Sequence, residues 1–166
     1  MDIISIFNQI RDIPYKIPVS LKEEDFCCSG KHKKLKNILE EKGYKVRYCV
    51  CSFSWVSMNL PQEVLKIPHE YLSTHVYLEV FIDNKWLIMD ATWDSKLKSF
   101  FHVNDWNNKD NSQIAVIPIE TFTHEKSLSI MENQDEKEIL SDLKINGEFY
   151  KNFNNWLEEI RSSNNT

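Results

Sequence analysis

The apolar positions of the chain switch between two periods, and the switch points outline its elements. Ile3, Ile6, Phe7 and Ile10 recur at three- and four-residue spacing, which predicts a helix over 2–12. Pro14 and Pro18 then impose an extended stretch from Ile13 to Val19, because proline fixes its own φ and bars its predecessor from the helical region. The helical period returns over 26–42, with Leu35, Ile38 and Leu39 as the stripe and Gly43 where a helix stops. Residues 44–55 alternate and are rich in Val, Tyr, Phe and Cys, a strand signal. A short helix is expected over 61–66, opening on Pro61. Strands over 75–82 and 85–92 flank Asp83-Asn84, and Ile114 to Ile117 reads as a short buried strand. Two further helices are expected over 135–143 and 147–161, the second with Phe149, Phe153, Trp156, Leu157 and Ile160 on one face. The polar tail Ser162 to Thr166 is expected to fray. Ser95 to Asp110 is aromatic without a period. Helices flanking a mostly antiparallel meander make an α+β pattern.

Composition narrows the class. The chain has 166 residues and is 42% hydrophobic, enough for one domain over 1–166 with a real core. A net charge of -5 leaves no basic footprint for general nucleic-acid binding. The basic cluster Lys31 to Lys36 reads as the solvated face of a helix. No run approaches the roughly 18 apolar residues of a membrane span. The N-terminal apolar stretch is broken by Ser5, Asn8 and Gln9 and lacks a basic lead-in, so no signal peptide is read and the expected location is cytoplasmic. The four cysteines, at 27, 28, 49 and 51, are then expected as thiols.

Candidate chemistry begins at the second helix. Cys28 lies seven residues before Leu35, and seven steps of about 100° return it to within roughly 20° of the same stripe. Cys27 is rotated roughly 80° away. In the first turn Cys28 meets unpaired N–H groups and the positive end of the dipole, a setting that favours a thiolate and can hold an oxyanion. Small buried hydrophobe is the ordinary role of such a cysteine.

The hairpin supplies the partners. A two-residue turn at Asp83-Asn84 pairs 82 with 85 and 80 with 87, so His75, Tyr77, Glu79 and Phe81 share a face with Trp86, Ile88, Asp90 and Thr92. His75 and Asp90 become diagonal neighbours, roughly 7–8 Å apart at the backbone. A carboxylate accepting from one imidazole nitrogen fixes the tautomer and leaves the other as a base. Asp90 follows Trp86-Leu87-Ile88-Met89, so burial is expected, and a buried carboxylate needs a partner.

These segments resemble the transglutaminase-like branch of the papain-type cysteine enzymes. Cys28-Ser29-Gly30-Lys31, a helix closing on Gly43 and a strand with Val46 and Arg47 look like that family's nucleophile region. Thr74-His75-Val76-Tyr77-Leu78-Glu79-Val80 and Trp86-Leu87-Ile88-Met89-Asp90-Ala91-Thr92-Trp93-Asp94 are similar to its histidine and aspartate strands, and Ile10-Arg11-Asp12-Ile13-Pro14-Tyr15 to the segment before the nucleophile. Alanine stands at 91, where the family often has proline. The resemblance covers about 3–94 and implies a papain/transglutaminase-like core there, with a nucleophile helix packed on a mostly antiparallel sheet; residues 95–166 carry no such resemblance, and a C-terminal helical extension over about 119–161 is expected from their helical pattern. The resemblance implies acyl transfer through a thioester, with Cys28 as nucleophile, His75 as acid and base and Asp90 orienting His75. The substrate would be a peptide, protein or carboxamide, with no cofactor, nucleic acid or membrane involved. Gln9 and Tyr15 are the side-chain candidates for an oxyanion donor, beside backbone groups near Cys28.

Two other readings compete. The four cysteines with His32 or His69 could hold a metal, although adjacent and C-x-C cysteines suit tetrahedral zinc poorly. A non-catalytic module could bind peptide through Trp55, Trp93, Trp106 and Phe100-Phe101. His32 is expected at the surface, Asp94 in a turn, and Arg47 paired with a carboxylate such as Glu79.

Overall fold

The two-residue turn sets the sheet register. In the computed structural model, which describes residues 1–164, Asp83 and Asn84 take φ of 48° and 62°. Two successive left-handed residues are what a tight hairpin between twisted strands requires, and Asp and Asn tolerate them. Strand β2 (Leu72–Ile82) therefore pairs antiparallel with β3 (Lys85–Met89) from Ile82↔Lys85 to Leu78↔Met89, the register expected from the sequence. Strand β1 (Val46–Ser54) lies on the other side of β2, and the short β4 (Glu120–Thr121) follows, giving the order β3-β2-β1-β4. The β1–β2 register places Cys51 opposite His75, Cys49 opposite Tyr77 and Arg47 opposite Glu79. Arg47 Nε donates to Glu79 at 2.7 Å, as anticipated.

Five α-helices complete an α+β architecture. Helix α1 (Ile3–Arg11) buries Ile3, Ile6, Phe7 and Ile10. Helix α2 (Cys28–Glu41) ends in a Schellman motif: Gly43 N–H donates to Glu40 O and Tyr44 N–H to Leu39 O, with Gly43 at φ 86°. Its buried face is Cys28, Lys31, His32, Leu35 and Leu39. Lys31 thus departs from the solvated cluster expected for it, while Lys33 and Lys34 remain exposed. Its ammonium donates to three backbone carbonyls, Arg11 O (2.8 Å), Ile13 O (2.9 Å) and Thr92 O (2.7 Å), which is what a buried cation needs. The short α3 (Gln62–Leu65) follows Pro61.

The C-terminal part differs most from the pattern read in the sequence. The two helices expected over 135–143 and 147–161 are one 28-residue helix, α5 (Glu136–Ser163). Gly147 does not interrupt it: the penalty of an interior glycine, about 1 kcal/mol, is smaller than the burial of Phe149, Phe153 and Leu157 on the continuing face. The tail is helical through Ser163, and Asn165 and Thr166 lie outside the described residues. Ile114 to Ile117 is not a strand; it is irregular chain in which Val116 alone of the four is buried. An unanticipated helix, α4 (His124–Glu132), is capped by Thr123, and Ser127 accepts the Val50 N–H at 3.0 Å. Helix α5 closes over the N-terminal segment: Asn154 bonds both backbone groups of Ile17, and Arg161 reaches Asp94 and the Tyr15 carbonyl. Asp94 is accordingly a buried ion-pair partner, with 2.7 Å to Arg161, and not a simple turn residue. Among the described residues no helix is long and apolar enough to cross a membrane.

Candidate active site

Cys28 is the first residue of α2 and Cys27 its N-cap, with extended backbone and no side-chain cap bond. The first N–H groups of the helix are therefore not claimed by a capping side chain, and they point toward the Cys28 end of the groove. The turn before the helix is pressed against it. A Cβ on Gly30 would lie 1.9 Å from the Asp25 carbonyl oxygen, so only glycine fits. That approach lets Asp25 accept from the Cys27 N–H and the Ser29 hydroxyl, both at 2.8 Å.

Strand β3 stops at Met89 and not at 92 as expected, and His75 and Asp90 meet just beyond the last pair of the ladder, Leu78↔Met89. His75 Nε2 lies 2.8 Å from Asp90 Oδ2, and both residues are buried. The same oxygen accepts the Ala115 N–H at 2.8 Å, while Oδ1 accepts the Thr92 N–H (3.1 Å) and hydroxyl (2.6 Å). Four donors hold one carboxylate. Burial opposes its charge, but the charge and hydrogen bond of His75 prevail and keep Asp90 well below the usual carboxyl range. With Nε2 committed to Asp90, Nδ1 is the nitrogen left for Cys28.

The ionisation of the pair follows. Burial disfavours an imidazolium at His75, yet the Asp90 charge and hydrogen bond and the hydrogen bond to Cys28 push it up to about 10. Hydrogen bonding from the Cys27 thiol lowers Cys28 most; burial opposes this, and His75 and the Val76 N–H add to it, so the Cys28 thiol lies well below its usual value. Cys27 moves the opposite way, raised by its bond to Cys28 and by burial. The two neighbours are shifted in opposite directions, Cys28 toward the thiolate and Cys27 toward the thiol.

His32, expected at the surface, lies instead in the core. It is fully buried. The Ala91 N–H donates to its Nε2 at 2.9 Å, so its proton sits on Nδ1, which donates to the Cys28 carbonyl at 2.7 Å. The ring is thus neutral, as burial also favours, and the 3.8 Å between its Nε2 and Asp90 is no ion pair. It ties α2 to the chain that follows Asp90. The signal was present: 28, 32, 35 and 39 lie on one helical stripe.

A groove of about 400 Å³ opens on Cys28 and His75. Phe53, Trp55, Met58 and Trp93 supply apolar walls, and Tyr15 stands beside the cysteines. Its ionisable lining apart from the cysteines, His75 and the tyrosines is carboxylate, namely Glu23, Asp25, Glu138 and Asp142, with no lysine or arginine. Gln9 is exposed on α1 and does not line it. Of the aromatic residues singled out from the sequence, Trp55 and Trp93 reach the groove. Phe101 stacks behind Trp93 at 3.9 Å, and Trp106 packs on Phe7 at 5.7 Å.

A metal-ligand set exists, but at another place from the one considered above. His32 is committed as described, and His69 bonds the Ile67 carbonyl and stacks on Phe149. The atoms that converge, within 4.8 Å of one another, belong to Cys49, Glu79 and His124. A thiol, a carboxylate and an imidazole are donors zinc accepts. Here, however, the Arg47 guanidinium already neutralises Glu79 at 2.7 Å while lying 3.9 Å over the Trp86 ring. Burial and Glu79 push the Cys49 thiol up to about 12. Arg47 is thus the partner that Glu79 has in this structure, and His124 lies 3.6 Å from the same carboxylate oxygen. No protein-family model, curated protein or solved structure matches this chain.

Proposed function

We propose that this chain is a cysteine-dependent acyl-transfer enzyme with a papain/transglutaminase-like core, acting on a peptide or carboxamide through a thioester. The observation that supports the reading is a groove lined by both Cys28, at a helix N-terminus, and His75, whose Nε2 is held 2.8 Å from a buried carboxylate. Cys28 attacks the carbonyl carbon. His75, already protonated, delivers its proton to the leaving nitrogen as the C–N bond breaks, and Asp90 keeps the ring oriented throughout. Water or an amine then resolves the thioester, with His75 as base. The carboxylate-lined groove favours cationic segments of a peptide or protein over anionic ones. The second reading is a peptide-binding module that keeps this fold without turnover, favoured by the Trp55 and Trp93 walls.

Rapid mixing with p-nitrophenyl acetate, acid quench and mass mapping separates the two. The enzyme reading expects a single acetyl group on Cys28, absent in Cys28→Ala and released by hydroxylamine. No adduct, or acetyl spread over all four cysteines, contradicts it and favours the binding module.

A further inference from the structure

Away from the groove, a thiol, a carboxylate and an imidazole meet from three different elements. Cys49 is on β1, Glu79 is on β2 and His124 is the first residue of α4. Their ligand atoms lie within 4.8 Å of one another. The Cys49 sulfur is 3.8 Å from His124 Nδ1, and Glu79 Oε2 is 3.6 Å from Nε2 of the same ring. The edges of a tetrahedron around zinc, with about 2.3 Å to sulfur and about 2.0–2.2 Å to nitrogen and oxygen, are roughly 3.3–3.7 Å long. The set is therefore open by no more than about 1.5 Å along its widest edge. The His124 side chain is 45% exposed and free to turn, so it can close that gap.

Arg47 supports such a site instead of blocking it. It bonds Glu79 through Nε to Oε2, and its guanidinium is held 3.9 Å over the Trp86 ring. That bond leaves Oε1 for a metal, and a ligating carboxylate is commonly oriented by just such an outer hydrogen bond. The fold also has a use for an ion here. Ser127 is the one buried residue of α4, so apolar packing does little to fix that helix on β1.

We propose that Cys49, Glu79 and His124 form a zinc site, with water in the fourth position, that pins α4 to the sheet. Sulfur and imidazole donors select zinc or a similar transition ion over magnesium and calcium, which take oxygen ligands. On binding, the Cys49 S–H bond breaks, the proton passes to buffer and a sulfur lone pair forms the bond to the ion, with no change of oxidation state. Neither Cys28 nor His75 takes part, so the inference does not rest on the acyl-transfer reading.

Cobalt(II) is the probe, because its bond to a thiolate gives a charge-transfer absorption. It is titrated into the full chain as wild type, Cys28→Ala and Cys28→Ala with His124→Ala, and zinc is then added. The Cys28→Ala change removes the other thiol that has a histidine beside it. The expected result is thiolate-bound cobalt in wild type and Cys28→Ala, displaced by zinc. Without His124 binding should weaken by more than the about 10–100-fold that loss of an outer-shell partner costs. Cys49→Ser should bind cobalt without the thiolate absorption. In thermal scans, zinc a hundredfold above its Kd should raise the Tm of Cys28→Ala by about 5–10 °C, and magnesium and calcium should not raise it. Thiolate-bound cobalt in wild type but not in Cys28→Ala places the metal at Cys28 and overturns the inference. Absence of that absorption from both proteins, or equal binding with and without His124, overturns it as well.

Discussion

Asp90→Asn leaves the size of the side chain unchanged and removes one buried charge. The carboxylate accepts four hydrogen bonds, two per oxygen. The better amide orientation turns its NH₂ toward Thr92, whose hydroxyl can rotate to accept, and leaves the Thr92 N–H facing another donor. The three remaining bonds fall from charge-assisted to neutral strength, a loss of about 1 kcal/mol each. With the opposed N–H the total is about 3–5 kcal/mol, the range seen when one partner of a buried ion pair is removed. The loss depends on pH in both directions. Asp90 has a folded pKa depressed below 3.8, so its stabilisation is present above that value and is lost as pH falls through the lowered one. His75 has a folded pKa raised from 6.5 to about 10, so the same interaction is fully present below 6.5 and lost as pH rises through about 10. The stability gap between wild type and Asp90→Asn should therefore be widest between pH 4 and 6.5 and should narrow on either side. Urea unfolding followed by tryptophan fluorescence measures it. A gap under about 1 kcal/mol at pH 5.5, or one unchanged between pH 5.5 and 9.5, refutes the reasoning.

Three further substitutions test the supports of the site. Lys31→Met strips the donor from three buried carbonyls at about 1 kcal/mol or more each, and a thermal scan should show Tm lower by about 10 °C; a shift below about 2 °C contradicts the staple. Gly30→Ala forces a Cβ into the Asp25 carbonyl, so a destabilisation of about 3 kcal/mol and slower alkylation of Cys28 are expected in urea melts and labelling assays; a wild-type profile would show that the turn has room. Arg161→Met leaves Asp94 and the Tyr15 carbonyl without their cation, with an expected loss of about 3–5 kcal/mol in urea; a loss near zero would mean that solvent replaces the guanidinium.

The hairpin was the most legible part of this chain, because a two-residue Asp-Asn turn and the strict period of a strand leave one register, and that register brings His75 to Asp90. Helix α2 was legible from Leu35, Leu39 and Gly43. What the sequence concealed were polar residues used as core. Lys31 and His32 lie on the buried stripe by spacing alone, but a run of basic residues reads as a surface until the carbonyls waiting for Lys31 and the Ala91 N–H waiting for His32 are known. The partners of Asp90 from Ala115, and of Tyr15 from Asp94 and Arg161, are separated by 25, 79 and 146 residues, and no local pattern encodes contacts of that range. Helix α4 has a weak apolar stripe and was missed for that reason, while Gly147 suggested a break that burial of the following aromatic residues overrode.

The central claim is that His75 adds to the effect of Cys27 in holding Cys28 as a thiolate at neutral pH. Its most direct test is the rate of iodoacetamide alkylation as a function of pH, with the label located by mass spectrometry, in wild type and His75→Ala. The account predicts that Cys28 is labelled before the other three cysteines, with an apparent pKa well below the roughly 8.5 of a free thiol, and that this advantage is lost without His75. Labelling of Cys28 no faster than Cys27, Cys49 or Cys51, or a profile indifferent to His75, would contradict it.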